Sequence, residues 1–153
     1  MATWHCKSFA QLNSNELYAI LQARQTVFII EQTCLYADID QLDLHCFHLF
    51  LSTTNDDKTA TIHAYLRIVP PGIAYTEASL GRVLVSEDSR NQGLAKILIN
   101  KGLEELKQLY PQQPIKIAAQ NYLLAFYQSL GFCKISDIYL DDGIEHIDML
   151  LAQ

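Results

Sequence analysis

The chain has 153 residues, half of them apolar, with 11 basic against 17 acidic side chains and a formal net charge of -6. That length suits one domain over residues 1–153 with a sizeable core, and a charged fraction of only 18% excludes a disordered chain. No Lys/Arg cluster offers a basic face to nucleic acid, and no apolar run reaches the length of a membrane span, so neither partner is expected.

The opening MATWHCKSFAQL lacks the charged leader and apolar run of a secretory signal. Cys6, Cys34, Cys46 and Cys133 are irregularly spaced, with no CxxC pair. Reduced thiols in a cytoplasmic protein without a metal are the expectation. Residues 3–7 read as a first strand. Asn13 or Ser14 then caps a helix in which Leu17, Ile20, Leu21 and Arg24 share a face. Val27, Phe28, Ile29 and Ile30 extend the apolar run into a second short helix, and TCLYADIDQLDLH reads as an acidic loop.

Residues 46–51 and 60–69 are apolar runs separated by the turn signal TTNDDK, which predicts a hairpin. Pro70, Pro71 and Gly72 end it, and residues 79–85 read as a central strand. From 92 to 110 the period becomes helical through Ala95, Leu98, Ile99, Gly102, Leu106 and Leu109. Pro111 stops that helix. A strand at 115–119, a helix at 122–130 capped by Gly131, and strands at 132–138 and 144–150 around Asp141-Asp142-Gly143 complete the chain. This order predicts an α/β fold: a mixed, mostly antiparallel central sheet, crossover helices that permit one parallel pair, and helices on both faces.

The sharpest chemical signal is residues 80–96, LGRVLVSEDSRNQGLAK. An apolar strand runs through a polar turn into a helix whose first N–H groups are unpaired and lie at the positive end of its dipole. Small residues at 93 and 95 either admit a bulky anion to that backbone or pack the helix on the sheet, and both readings stand from the residues alone. The stretch resembles the pyrophosphate-binding motif of the GNAT superfamily of N-acetyltransferases, Gln/Arg-x-x-Gly-x-Gly/Ala. Arg90, Gly93 and Ala95 fill its three defining positions.

The resemblance implies an acyl-CoA N-acyltransferase fold in which the parallel pair is splayed, acetyl-CoA as co-substrate, and a small-molecule or peptide amine as acceptor. It implies that backbone amides of Asn91, Gln92, Gly93, Leu94, Ala95 and Lys96 cradle the pyrophosphate. Leu84 and Val85, at the end of the preceding strand, would hydrogen-bond the pantetheine arm and the acetyl carbonyl. Residues 115–132, IKIAAQNYLLAFYQSLGF, are similar to the superfamily's second segment. There Asn121 falls on the position that contacts the pantetheine arm, and Tyr127 on that of a phenol near the sulfur, a candidate general acid. A narrower likeness to the ElaA-like bacterial branch rests on three stretches. They are Arg24-x-x-Val27-Phe28-x-x-Glu31-Gln32 with Tyr36, Asp38, Asp40 and Asp43, then Gly81-Arg82-Val83, then Asp142-Gly143-Ile144-x-His146-Ile147-x-Met149.

Amine attack needs a proton acceptor. Glu31 is one candidate base, unless it pairs with Arg24 or Arg82. His146 is another, because imidazole is the side chain whose charge change lies nearest neutrality, while His48 reads equally as a core histidine. Arg82 either binds a carboxylate on the acceptor or pairs internally with Glu31. Asp38, Asp40 and Asp43 lack the glycine and glutamate of a calcium loop, so they are expected to form a solvated lip or to attract a cationic acceptor. Trp4 and Tyr36 would line such a pocket or simply pack. Cys133 follows the Gly-Phe turn with no base paired to it, so direct transfer is favoured over an acyl-cysteine. The different-class alternative is a coenzyme A-binding sensor that has lost turnover. The terminal hairpin offers an apolar face for a homodimer.

Overall fold

The computed structural model describes residues 1–153. The chain runs β1 (Thr3–Ser8), α1 (Ser14–Arg24), β2 (Phe47–Thr54), β3 (Ala60–Val69), β4 (Ser79–Val85), α2 (Leu94–Leu109), β5 (Ile115–Gln120), α3 (Leu124–Ser129), β6 (Cys133–Lys134), β7 (Tyr139–Asp141) and β8 (Ile144–Leu151). Asn13 starts α1 with a reciprocal capping box. Its Oδ1 accepts from the Glu16 backbone N–H at 2.8 Å, and its own N–H donates to Glu16 Oε2 at 3.0 Å. The apolar run after α1 is a widened π-helical stretch, Gln25–Glu31, that ends with Gln32 N–H donating to Val27 O across five residues.

Strands β1–β4 form an antiparallel sheet in sequence order, and β5, β8, β6 and β7 form a second in which β8 is central. The two meet at one parallel bridge, Ala78 to Ile115, where Lys116 N–H donates to Ala78 O at 2.9 Å. Beyond it β4 and β5 diverge. Helices cover both faces: Leu66 and Ile68 of β3 pack with Leu98, Ile99 and Leu106 of α2, while Tyr65 packs with Ala19 and Ile20 of α1. This is the mixed, mostly antiparallel sheet that the sequence predicts, with its parallel pair splayed as the resemblance implies. Gly102 lets α2 sit close, because a Cβ there would lie 3.0 Å from Leu66 Cδ2. No helix is long and apolar enough to cross a membrane.

Three boundaries differ from expectation, each for a local reason. Helix α2 begins at Leu94 rather than at 92, because Asn91 (φ 63°) and Gly93 (φ 71°) are left-handed. The predicted helix at 122–130 is a 3₁₀ turn, Asn121–Leu123, followed by the six residues of α3. The predicted strand at 132–138 survives only as Cys133–Lys134, because the Asp148 N–H is taken by the Ser136 hydroxyl at 2.9 Å instead of by a ladder carbonyl.

Candidate active site

The gap between β4 and β5 is an open, mostly apolar cleft of about 950 Å³. Val27, Phe28 and Glu31 come to it from the π-helical stretch, residues 82–85 from β4, Arg90 and Ala95 from the start of α2, Tyr127 from α3 and His146 from β8. Side chains of a strand alternate between faces. Four consecutive β4 residues in one wall therefore mean that the cleft also sees the strand's backbone edge, left unpaired because β5 has moved away.

A bulge sharpens that edge. Tyr65 faces Leu84 and Arg67 faces Gly81, so Arg82 and Val83 together oppose the single residue Leu66. Arg82 adopts φ 52°. A left-handed residue in such a bulge is usually glycine, and here it is a long cation.

At the mouth, Gly93 is the N-cap of α2, and no side chain caps the first N–H groups of the helix. A Cβ at Gly93 would meet nothing within 4 Å. Asn91, Gln92, Gly93, Leu94 and Lys96 form the turn and first helical residues beside Arg90 and Ala95, an open cradle of unsatisfied donors at a dipole's positive end. Arg90 Nε donates to Val85 O at 3.0 Å, and its Nη2 donates to Glu31 Oε2 at 2.6 Å. The expected partners of Glu31, Arg24 and Arg82, are corrected by that contact. Neither can reach it, because each is held by the acidic loop.

Deeper in, Tyr127 is 7% exposed, has no hydrogen-bond partner for its hydroxyl within the protein and borders the cleft. Burial, aided by Tyr122, pushes its phenol up to about 12. His146 also borders the cleft. Its Nδ1 lies 2.8 Å from Ile144 O, and a carbonyl can only accept. Nδ1 therefore carries the proton, which leaves Nε2 with a free lone pair, and Tyr139 stacks on the ring at 6.1 Å. Asn121 does not line the cleft, although its neighbours Gln120 and Tyr122 do, and its Nδ2 donates to Glu145 at 3.3 Å.

The acidic loop overturns its sequence reading. Asp38, Asp40 and Asp43 are neither a solvated lip nor an open cation trap, because three arginines consume them. Arg24 reaches Asp38 (3.0 Å) and Asp43 (2.7 Å). Arg67 reaches Asp40 (2.6 Å) and Asp43 (3.0 Å), and Arg82 reaches Asp38 (2.8 Å) and Asp40 (3.3 Å). Arg24 is fully buried, so its charge demands such partners. His48 is a core histidine, set between the Tyr65 hydroxyl (2.8 Å) and Asp43 O (3.0 Å), and burial lowers its pKa. Tyr36 lines the cleft and stacks under Arg82, whereas Trp4 packs against the main core under Lys101. Cys133 is exposed on β6, away from the cleft lining. The cleft's cysteine is Cys34, whose thiol donates to Asp142 O at 3.5 Å. No cluster of three or more His, Cys, Asp or Glu side chains is placed to share an ion.

Comparison with known proteins agrees with this geometry. Residues 27–152 match the family model described as an acetyltransferase (GNAT) domain. A UPF0039 protein of Synechocystis sp. is 38% identical over 147 residues, covering 96% of this chain and 93% of its own length. The crystal structure of Escherichia coli ElaA superposes with a TM-score of 0.88 at 36% identity over 99% of each chain. An acyl-CoA N-acyltransferase from Pseudomonas aeruginosa superposes with a TM-score of 0.91 at 37% identity, covering 99% of this chain and all of the other. From motifs, cleft and likeness alike, the chain belongs to the GNAT family of acetyltransferases, in its ElaA-like branch.

Proposed function

We propose that this protein transfers an acetyl group from acetyl-CoA to a primary amine by direct attack in a ternary complex. The observation that carries the reading is the unpartnered hydroxyl of the largely buried Tyr127, set in the same cleft as the open start of α2 and the free edge of β4. A sensor that had lost turnover would have no use for a phenol aimed into an open channel. The residues fit the coenzyme: the N–H groups from Asn91 to Lys96 would hold its pyrophosphate, and Leu84 and Val85 would hold its pantetheine arm. Bound there, acetyl-CoA supplies the acetyl group as a reactive thioester.

The remaining roles belong to the chain. His146 Nε2 takes the proton from the attacking amine, because Nδ1 is already committed to Ile144 O. His146 is a better base than Glu31, whose carboxylate is tied to Arg90. Backbone N–H groups at the end of β4 stabilise negative charge on the carbonyl oxygen, and Tyr127 returns a proton to the departing sulfur. The cleft's cations, Arg82 and Arg90, are already paired, so neither is left to hold an acceptor's carboxylate. Amines on neutral or cationic compounds are favoured over anionic ones.

The test incubates purified protein with acetyl-CoA and chemically varied primary amines, reading free thiol release against a control without acceptor. Acceptor-dependent release is expected, falling about 10²-fold in His146→Gln. Silence across the panel despite measured coenzyme binding would overturn turnover in favour of the sensor.

A further inference from the structure

The left-handed arginine in the β4 bulge has no explanation in packing. A glycine stands one position earlier, at Gly81, yet the strand places the positive φ on Arg82. Backbone strain of this kind persists only where the surroundings over-determine it, and the surroundings of Arg82 do so unusually well. Its Nε donates to Asp38 Oδ1 at 2.8 Å, its Nη2 donates to Asp38 O at 3.2 Å and to Asp40 Oδ2 at 3.3 Å, and the Tyr36 ring lies 5.2 Å from its guanidinium. Every one of these contacts comes from the loop 36–40.

Each of those carboxylates keeps one other arginine without Arg82, although the cluster is then left with one negative charge in excess. Asp38 keeps Arg24 at 3.0 Å, and Asp40 keeps Arg67 at 2.6 Å. The loop would stay folded over the sheet without Arg82, but the bulge would lose its anchor. The bulge is also where β4 departs from its ladder and turns its backbone toward the cleft, since residues 82–85 all line it.

On the reading of function given above, we infer that Arg82 is a positioning residue: its clamp by Asp38, Asp40 and Tyr36 holds the β4 bulge so that a backbone N–H of the strand's end points at the thioester carbonyl. It touches no reacting atom. Its contribution is to remove the freedom that a bulged, unpaired strand edge would otherwise have, so that the donor is already aimed when charge develops on the carbonyl.

The experiment uses the full chain, acetyl-CoA labelled with ¹³C at the thioester carbonyl, isotope-edited infrared spectroscopy and calorimetric binding. In the unaltered protein the bound carbonyl stretch falls below its value in water-excluded solvent, as a directed hydrogen bond requires. Arg82→Gly keeps the left-handed backbone accessible but cuts the anchor, so acetyl-CoA affinity stays within about threefold while the carbonyl stretch returns toward the unbonded value and any acceptor-dependent turnover falls about 10²-fold. Arg82→Lys restores part of the shift by pairing with Asp38, and it carries the test if the glycine variant does not fold. A carbonyl stretch in folded Arg82→Gly equal to the parent's, or in Arg82→Lys where only that variant folds, overturns the inference and leaves the function standing. Failure of the parent protein to bind acetyl-CoA overturns the functional reading itself, and the inference falls with it.

Discussion

At the scale of single residues, the site depends on groups whose hydrogen-bond capacity is left open or spent in one direction. His146 shows the second case: giving Nδ1–H to Ile144 O selects the tautomer that can accept at Nε2. Tyr127 shows the first. Its phenol stands at about 12 because burial disfavours the phenolate, so it remains a proton donor up to about pH 10. The kcat profile is therefore expected to show no alkaline fall from this group below about pH 11, and Tyr127→Phe should lower kcat about 10²-fold with coenzyme binding little changed. Titration calorimetry and thiol release separate the two effects. Both residues were legible in the sequence by their place in motifs. The sequence offers Arg82 as a partner for an acceptor's carboxylate or for Glu31, and neither reading contains its backbone role. Its left-handed φ, which costs about 1–2 kcal/mol for a residue with a Cβ, follows from the register of β4 against β3 and leaves no trace in the one-dimensional pattern.

At the scale of elements, the fold builds its cleft from irregularities in otherwise ordinary pieces. The apolar period of α1 carries on past Arg24, but as a π-helical stretch that delivers Val27, Phe28 and Glu31 to the cleft. A run of apolar residues does not distinguish that winding from an α-helix, so the sequence showed a helix without its width. The start of α2 was better marked, because the glycine that permits φ 71° is itself the signal. Gly93→Ala has open space for its methyl group, so its cost is conformational, about 1 kcal/mol in denaturant unfolding, together with weaker coenzyme affinity where the methyl crowds the first turn. A variant that lost neither stability nor affinity would remove Gly93 from the cradle. Strand β6 is shorter than the predicted 132–138, because the apolar residues of that run hide the role of Ser136. Its hydroxyl breaks the ladder at Asp148, a contact that depends on a partner strand 12 residues away.

At the scale of the whole molecule, three arginines and three aspartates fasten the loop 36–43 to both β3 and β4. The sequence placed those aspartates at the site's edge, and the structure turns them inward. The missing information was the pairing, since Arg24, Arg67 and Arg82 lie far apart in the chain. Burial alone would raise the carboxyls of Asp40 and Asp43, but hydrogen bonds and charge from Arg67, with Arg24 for Asp43 and Arg82 for Asp40, outweigh it and hold both below the ordinary 3.8. The folded chain thus binds these protons less tightly than the unfolded one, so stability falls as pH drops below about 4. Asp43→Asn leaves Arg24 and Arg67 short of charge where neither meets water, and urea unfolding should register a loss of about 3 kcal/mol together with a flatter acid limb. The splayed sheet has a mechanical consequence of another kind. Its halves share a core from Leu66 and Leu98 to Ile117 and Met149, yet only one backbone bridge joins them. Apolar contacts are non-directional, whereas ladder hydrogen bonds fix both distance and angle. The cleft is therefore the seam at which the backbone ladder resists a change of width least, since widening it breaks no hydrogen bond within either sheet.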